Sequence, residues 1–261
     1  MKVSRWVLIG CGFVALSATP ALKADMPYLL PNSFDLGARD YVTVQGSFSE
    51  EFFLPGTAMK TDDYHVLGPD GAKRTLTPIY TRDLTIVEVP TASPGTYRVS
   101  TGLRTGRTAK AAWVDNDWRF LRGEESPPAG AKVFDVVSIT MADTYVTRGK
   151  PNTAAVAPRK QGLEFIPQTH PSSIFVDEPA AFVLHFDGAP VARHVVSVFR
   201  GGMRYEERKV VADVTTDANG RFTIHVDRPG AYVAMTRYRP QPSANSTRGV
   251  SYTYSVVFEA Q

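Results

Sequence analysis

The sequence predicts an all-β protein built as two β-sandwich domains, and three observations predict it. Apolar and polar residues alternate over short runs rich in Val, Ile, Thr, Tyr and Phe, as strands half-buried on one face require. Turn-forming residues separate those runs, with 20 Gly and 19 Pro in 261 residues. No stretch past residue 25 sustains a helical apolar period over three turns. The length suits one or two domains of roughly 100–200 residues each. With 43% hydrophobic and 21% charged residues, the chain has enough apolar side chains for a packed core.

The first segment reads as an address, not as fold. "MKVSR" carries Lys2 and Arg5, "WVLIGCGFVALSA" runs 13 residues without a charge, and "TPALKA" supplies small residues before Asp25. These are the parts of a secretory signal over residues 1–24, with an apolar run too short for the about 20 residues that span a bilayer. Cleavage is expected after Ala24, with Ala21 as the alternative. A rival reading takes "LIGC" (8–11) as a lipid-attachment box on Cys11. That would leave only residues 6–10 as its apolar segment, whereas the run continues past Cys11.

Signal removal takes away Lys2, Arg5 and Lys23, so the 29 basic residues become 26, against 26 acidic ones. A neutral mature chain has no basic stripe for phosphates, which excludes nucleic acid as a partner. The single cysteine, Cys11, leaves with the signal. The mature chain is then expected to form no disulfide, thiolate metal site or cysteine nucleophile, and to have no stable membrane insertion. An exported, cysteine-free chain suits a bacterial periplasm.

The first domain is expected over residues 25–121. "YVTVQGSF" (41–48) alternates with β-branched residues. "DYHVLGPDGAKRTL" (63–76) reads strand, turn, strand around Pro69, Asp70 and Gly71. "LTIVEVP" (84–90) is a strand, and "SPGTYRVSTG" (93–102) turns into one with Tyr97 and Val99 on one face. "TAKAAWVD" (108–115) is expected to close the first sheet.

Residues 122–161 are expected to link the domains. "RGEESPPAGAK" (122–132) and "KPNTAAVAPRKQ" (150–161) are loose and polar, and "VFDVVSITMADTYVTRG" (133–149) between them reads as a short helix or a strand. The second domain follows over 162–261. Its strands are "LEFIP", "AAFVLHFDGAPV", "HVVSVFRGG", "ERKVVADVTTDANGRFTIHV", "PGAYVAMTRYR" and "VSYTYSVVFEA". Asp187-Gly188 and Asn219-Gly220 are hairpin-type turns, since these residues tolerate positive φ. About seven short strands in roughly 100 residues point to an immunoglobulin- or prealbumin-like sandwich.

"GLEFIPQTHP" (162–171), "FVLHFDGAPVARHVVSVFRGG" and "TDANGRFTIHVDRPGAYVAMTRYR" together resemble an uncharacterised bacterial periplasmic family. That family is often labelled the periplasmic component of cobalt or nickel uptake systems. The likeness covers most of the mature chain and is strongest over 162–258. "GRF…RPGAYV" alone is shared with many sandwich modules similar to the carboxypeptidase regulatory domain. Relatives often begin their mature chain with a histidine followed by an aromatic residue and a proline. Tyr28 and Pro31 match, but Asp25 and Met26 stand where the histidine would be. The resemblance implies capture of nickel or cobalt and its transfer to a membrane transporter component.

The candidate ligands for such a metal are His170, His185, His225 and Asp25. None of the five histidines forms a close ligand pair such as HxH, so a site must assemble across strands. Alternation puts Phe182, Leu184 and Phe186 on one face and His185 on the other. It likewise puts Phe222, Ile224 and Val226 inward and His225 outward. In one sheet these histidines could be neighbours; as ordinary solvated strand residues they would bind nothing. His170 sits in a loop before Pro171, either as a ligand or as a surface hydrogen-bonding group. His65 and His194 read as solvated.

Enzyme signatures are poor: GxSxG is missing and no Gly-rich phosphate loop opens a helix. Asp62-Asp63 and Glu124-Glu125 are neighbours whose side chains point apart on an extended chain, which does not suit acid–base work. "RYRPQPSANSTRG" (237–249) offers three arginines in a polar loop, either solvated or touching an anion or a partner. The expectation is a non-enzymatic periplasmic binding or accessory protein. The alternatives are a metal-free protein-interaction or scaffolding module beside a transporter, and a carbohydrate-binding module using Trp113 and Trp118.

Overall fold

The structure is a computed structural model that describes residues 26–203, 206, 210–243 and 245–261. The expected signal segment, Cys11 and Asp25 lie outside the described residues. The first half contains β1 (Met26–Pro31), β2 (Tyr41–Ser49), β3 (Thr57–Ala58), β4 (His65–Leu67), β5 (Lys73–Thr75), β6 (Ile79–Tyr80), β7 (Thr85–Pro90), β8 (Gly95–Ser100), β9 (Arg104–Val114) and β10 (Asp117–Phe120). Then come β11 (Val133–Arg148) and a single 3-10 turn at Ala154–Val156. The second half contains β12 (Leu163–Pro167), β13 (Ala180–Phe186), β14 (Ala189–Pro190), β15 (Val195–Arg200), β16 (Ala212–Thr215), β17 (Arg221–Ile224), β18 (Gly230–Tyr238) and β19 (Arg248–Ala260).

The all-β expectation holds, and the strands form sandwiches. One ten-stranded sheet runs through both halves in the order β16-β15-β18-β19-β11-β8-β4-β5, with β9 and β10 branching from β11. A five-stranded sheet, β1-β2-β7-β6 with β3, and a four-stranded sheet, β12-β13-β14 with β17, cover it.

β11 decides how the layers stack. It pairs parallel with β19 and antiparallel with β8 and β9. Met141 and Tyr145 enter the core shared with the second half. Ala142 and Val146 enter the core shared with the first half. Residues one apart on a strand point to opposite faces. The four-stranded and five-stranded sheets therefore cover opposite faces of the long sheet, displaced along it. The strand alternative for 133–149 is the one that forms, and residues 140–147 are buried on both of its faces. Residues expected as linker thus supply the strand that joins the two cores.

The expected turns form. Asp187 and Gly188 have φ of 50° and 83°, and Gly220 has a φ of 74°. A Cβ on Gly220 would also stand 2.6 Å from the Leu184 carbonyl oxygen, so glycine is required there. "TAKAAWVD" does form a strand, but within β9, which pairs with β10 and β11 in the long sheet.

Candidate functional site

β8 explains where a site can form. Tyr97 and Val99 face the first-half core, as expected from their spacing. Thr96, Arg98 and Ser100 face the other way, on the side the four-stranded sheet covers further along. That sheet stops short of β8 and β4, and the loop after β11 takes its place. Between loop and sheet lies a cleft of about 470 Å³ whose lining includes His65, Lys73, Arg98, Leu103, Met141 and Arg159.

The loop is held from three sides. Glu164, 1% exposed on β12, accepts the backbone N–H groups of Arg159 (2.7 Å) and Lys160 (2.9 Å). The Asn152 amide donates to the Pro69 carbonyl at 2.7 Å and accepts the Thr96 N–H at 3.2 Å. Arg98 Nη1 donates to the Ala157 carbonyl at 3.2 Å. These bonds fix the cleft walls against one another, because each satisfies a group that burial would otherwise strand.

The floor is a buried charge cluster. Arg159 Nη1 lies 2.5 Å from Asp143 Oδ2, and the Tyr254 hydroxyl donates to the same oxygen at 2.6 Å. Arg159 Nη2 also reaches the Leu163 carbonyl at 3.3 Å. Burial alone would raise the Asp143 carboxyl, but the Arg159 and Arg98 guanidiniums outweigh it and hold the group below the usual carboxylate range. Burial also opposes charge on Arg159, and Asp143 reverses that, so its pKa is raised. The hydroxyls of Tyr145 and Tyr254 are both raised, by burial first and by the Asp143 charge among the lesser causes. Arg98 Nε, Arg159 Nε and Asp143 Oδ1 are buried with no hydrogen-bond partner among the described residues.

His65, expected to be solvated, is 5% exposed beside this cleft. Its Nδ1–H donates to the Asp63 carbonyl at 2.7 Å, and burial pushes its pKa below the ordinary value. Asp63 pairs with Lys73 at 2.6 Å. His194, also expected to be solvated, donates through Nε2 to the Arg237 carbonyl at 3.0 Å, and burial lowers its pKa too. Both lie at strand starts that a neighbouring segment covers.

The candidate ligands do not converge. His170 Nδ1 accepts from the Ser172 hydroxyl (2.8 Å) and backbone N–H (3.2 Å), while Nε2 sits 3.0 Å from the Asn152 carbonyl and 3.2 Å from the Thr96 hydroxyl. Both ring nitrogens are engaged, Nδ1 within its own loop and Nε2 across to Asn152 and Thr96. His185 and His225 share the outer face of one sheet, but the β13–β17 register pairs Ala180 with Ile224 and Val183 with Arg221. Continued along both strands, it sets the two histidines six positions apart, about 20 Å at 3.3 Å per residue. Asp25 lies outside the described residues. Among the described residues no three His, Cys, Asp or Glu gather to hold a metal ion.

Trp113 and Trp118 do touch, at 4.6 Å between ring centroids, but at 71°. Trp118 is buried, donating to the Val250 carbonyl at 3.1 Å, so the pair is an edge-to-face contact and not a flat stacking platform.

The family described as a domain of unknown function (DUF4198) matches residues 22–240. No curated protein matches the chain. Among solved structures, the D0-D1 domain of intimin is 12% identical over 88% of this chain and 96% of its own, with a TM-score of 0.22. Trypsin-activated alpha-2-macroglobulin from Escherichia coli is 14% identical over 90% of this chain and 16% of its own, at 0.25. The adhesin InvE from Yersinia pseudotuberculosis is 12% identical over 88% of this chain and 58% of its own, at 0.22.

Proposed function

The chain belongs to the DUF4198 family of unknown function, and from that premise we propose that it is an exported, non-catalytic binding module that seats a small ligand in the cleft beneath the loop after β11. The observation that carries this reading is the convergence on one opening of side chains from β4, β5, β8, β11 and the loop after β11. A cleft with fixed walls loses little entropy on binding. Periplasmic residence and work beside a membrane transporter component belong to the same proposal and rest on the N-terminal pattern and the family resemblance.

Nickel or cobalt handling is the finer reading that the resemblance implies. Its donors would have to include Asp25 or other groups beyond the described residues. A protein-interaction role has one observation in its favour. Residues 104–109 of β9 pair with β11 on one side only, leaving an open edge. Arg104 and Arg107 stand on that edge, and such charges discourage indiscriminate strand addition. A partner strand there would need acidic side chains.

Native mass spectrometry of residues 25–261, made without a histidine tag, tests these readings. Retention of one stoichiometric small molecule from a periplasmic extract supports the cleft. Retention of one nickel or cobalt ion supports the finer reading. Retention of neither from extract or added metal contradicts the binding role.

A further inference from the structure

We propose that the cleft recognises a small organic carboxylate, seated on the guanidinium of Arg98; this rests on the reading of the cleft as the binding place. Arg98 is 4% exposed and lines the cleft. Nη1 donates to the Ala157 carbonyl, the Tyr145 hydroxyl is a second polar neighbour, and the buried Nε has no partner among the described residues. No carboxylate among the described residues forms an ion pair with it. Asp143, paired directly with Arg159, also acts on Arg98 through its charge, so two buried guanidiniums share one anion and the cluster is one negative charge short.

The carboxylates nearby are already engaged. Asp143 is held by Arg159 and Tyr254, Asp63 by Lys73, and both oxygens of Glu164 by backbone N–H groups. The floor therefore presents two guanidiniums around one buried carboxylate, and Arg98 is the one left over. A ligand carboxylate that reaches this guanidinium from the cleft meets a planar fork suited to two oxygens. Leu103 and Met141 give the ligand's hydrocarbon part an apolar wall. The groove beside His194 and Arg239 is a weaker candidate, because Arg239 is already neutralised by Asp117.

Amide chemical shifts of the wild-type mature chain, titrated with succinate, glutamate, citrate and inorganic phosphate, test this. The expected result is saturable shifts at Gly102, Ala157 and Gln161 with at least one carboxylate. Arg98→Lys should weaken that binding by about tenfold, since the charge stays but the fork is lost. Arg221→Gln, on the outer face of the four-stranded sheet, should leave it unchanged. The wild-type map stands even if the Arg98 variant does not fold. Shifts with phosphate alone, or carboxylate shifts confined to other amides, overturn the proposal. If a metal ion or neutral molecule moves the same amides and no carboxylate does, the proposal falls and the cleft reading stands. If nothing moves them, both fall.

Discussion

Asp143 and Arg159 meet 2.5 Å apart at the seam where the two cores share β11, with the Tyr254 hydroxyl on the same carboxylate oxygen. One residue comes from β11, one from the loop that roofs the cleft, and the third from β19. The contact ties roof, floor and second-half core together. It is close to a fully buried pair, with the carboxylate at 0% and the arginine side chain at 14% exposure.

Removing one partner of such a pair strands the other charge. Asp143→Asn is expected to destabilise the protein by about 3–5 kcal/mol. Asp143→Leu combined with Arg159→Met should recover a large part of that loss. Chemical denaturation of the single and double variants measures both. Equal losses in the two would mean that the charge pairing contributes little.

His170→Ala removes the bridge from Ser172 to Asn152 and Thr96. Lost hydrogen bonds of this kind cost about 0.5–1.5 kcal/mol each, so a drop of about 1–3 kcal/mol is expected. Metal retained in native mass spectra should be the same as for wild type. Metal lost together with His170 would restore the histidine as a ligand.

Burial holds His65 and His194 below the ordinary histidine pKa of 6.5. Each binds its proton more weakly folded than unfolded. Their contribution to stability is complete above the unfolded pKa and is lost as pH falls below about 6.5 toward the depressed folded values. Unfolding free energy should therefore decline between about pH 6.5 and 5, before most carboxylates titrate. The double variant His65→Gln, His194→Gln should flatten that decline. An unchanged slope would contradict the assignment.

Gly249→Ala places a methyl 2.3 Å from the Trp118 ring, which packs against Trp113 and Phe134. The ring cannot swing freely, because its Nε1–H is bonded to Val250. A loss of about 1–3 kcal/mol is expected, with a shift in tryptophan emission. Unchanged stability and emission would mean that the ring can give way.

Local features were legible in the sequence because local physics sets them. The Asn219-Gly220 turn, the alternation in β13 and β17, and the shared face of Tyr97 and Val99 follow from φ preference and strand period. The role of 133–148 was not legible, because its strand pairing depends on β8, β9 and β19, up to more than 100 residues away. The cleft was hidden for the same reason. Arg98, Asp143 and Arg159 are unremarkable charges until the layers stack, and His65 looks solvated until the loop after β11 covers it. Alternation placed His185 and His225 on one face, but only the register between β13 and β17 sets the distance between them.

Hydrogen–deuterium exchange of the wild-type mature chain, with and without a periplasmic small-molecule extract, tests the cleft most directly. The account predicts slower exchange confined to β8, residues 150–161 and Gly102. Protection at the β9 edge alone, or no protection anywhere, would contradict it.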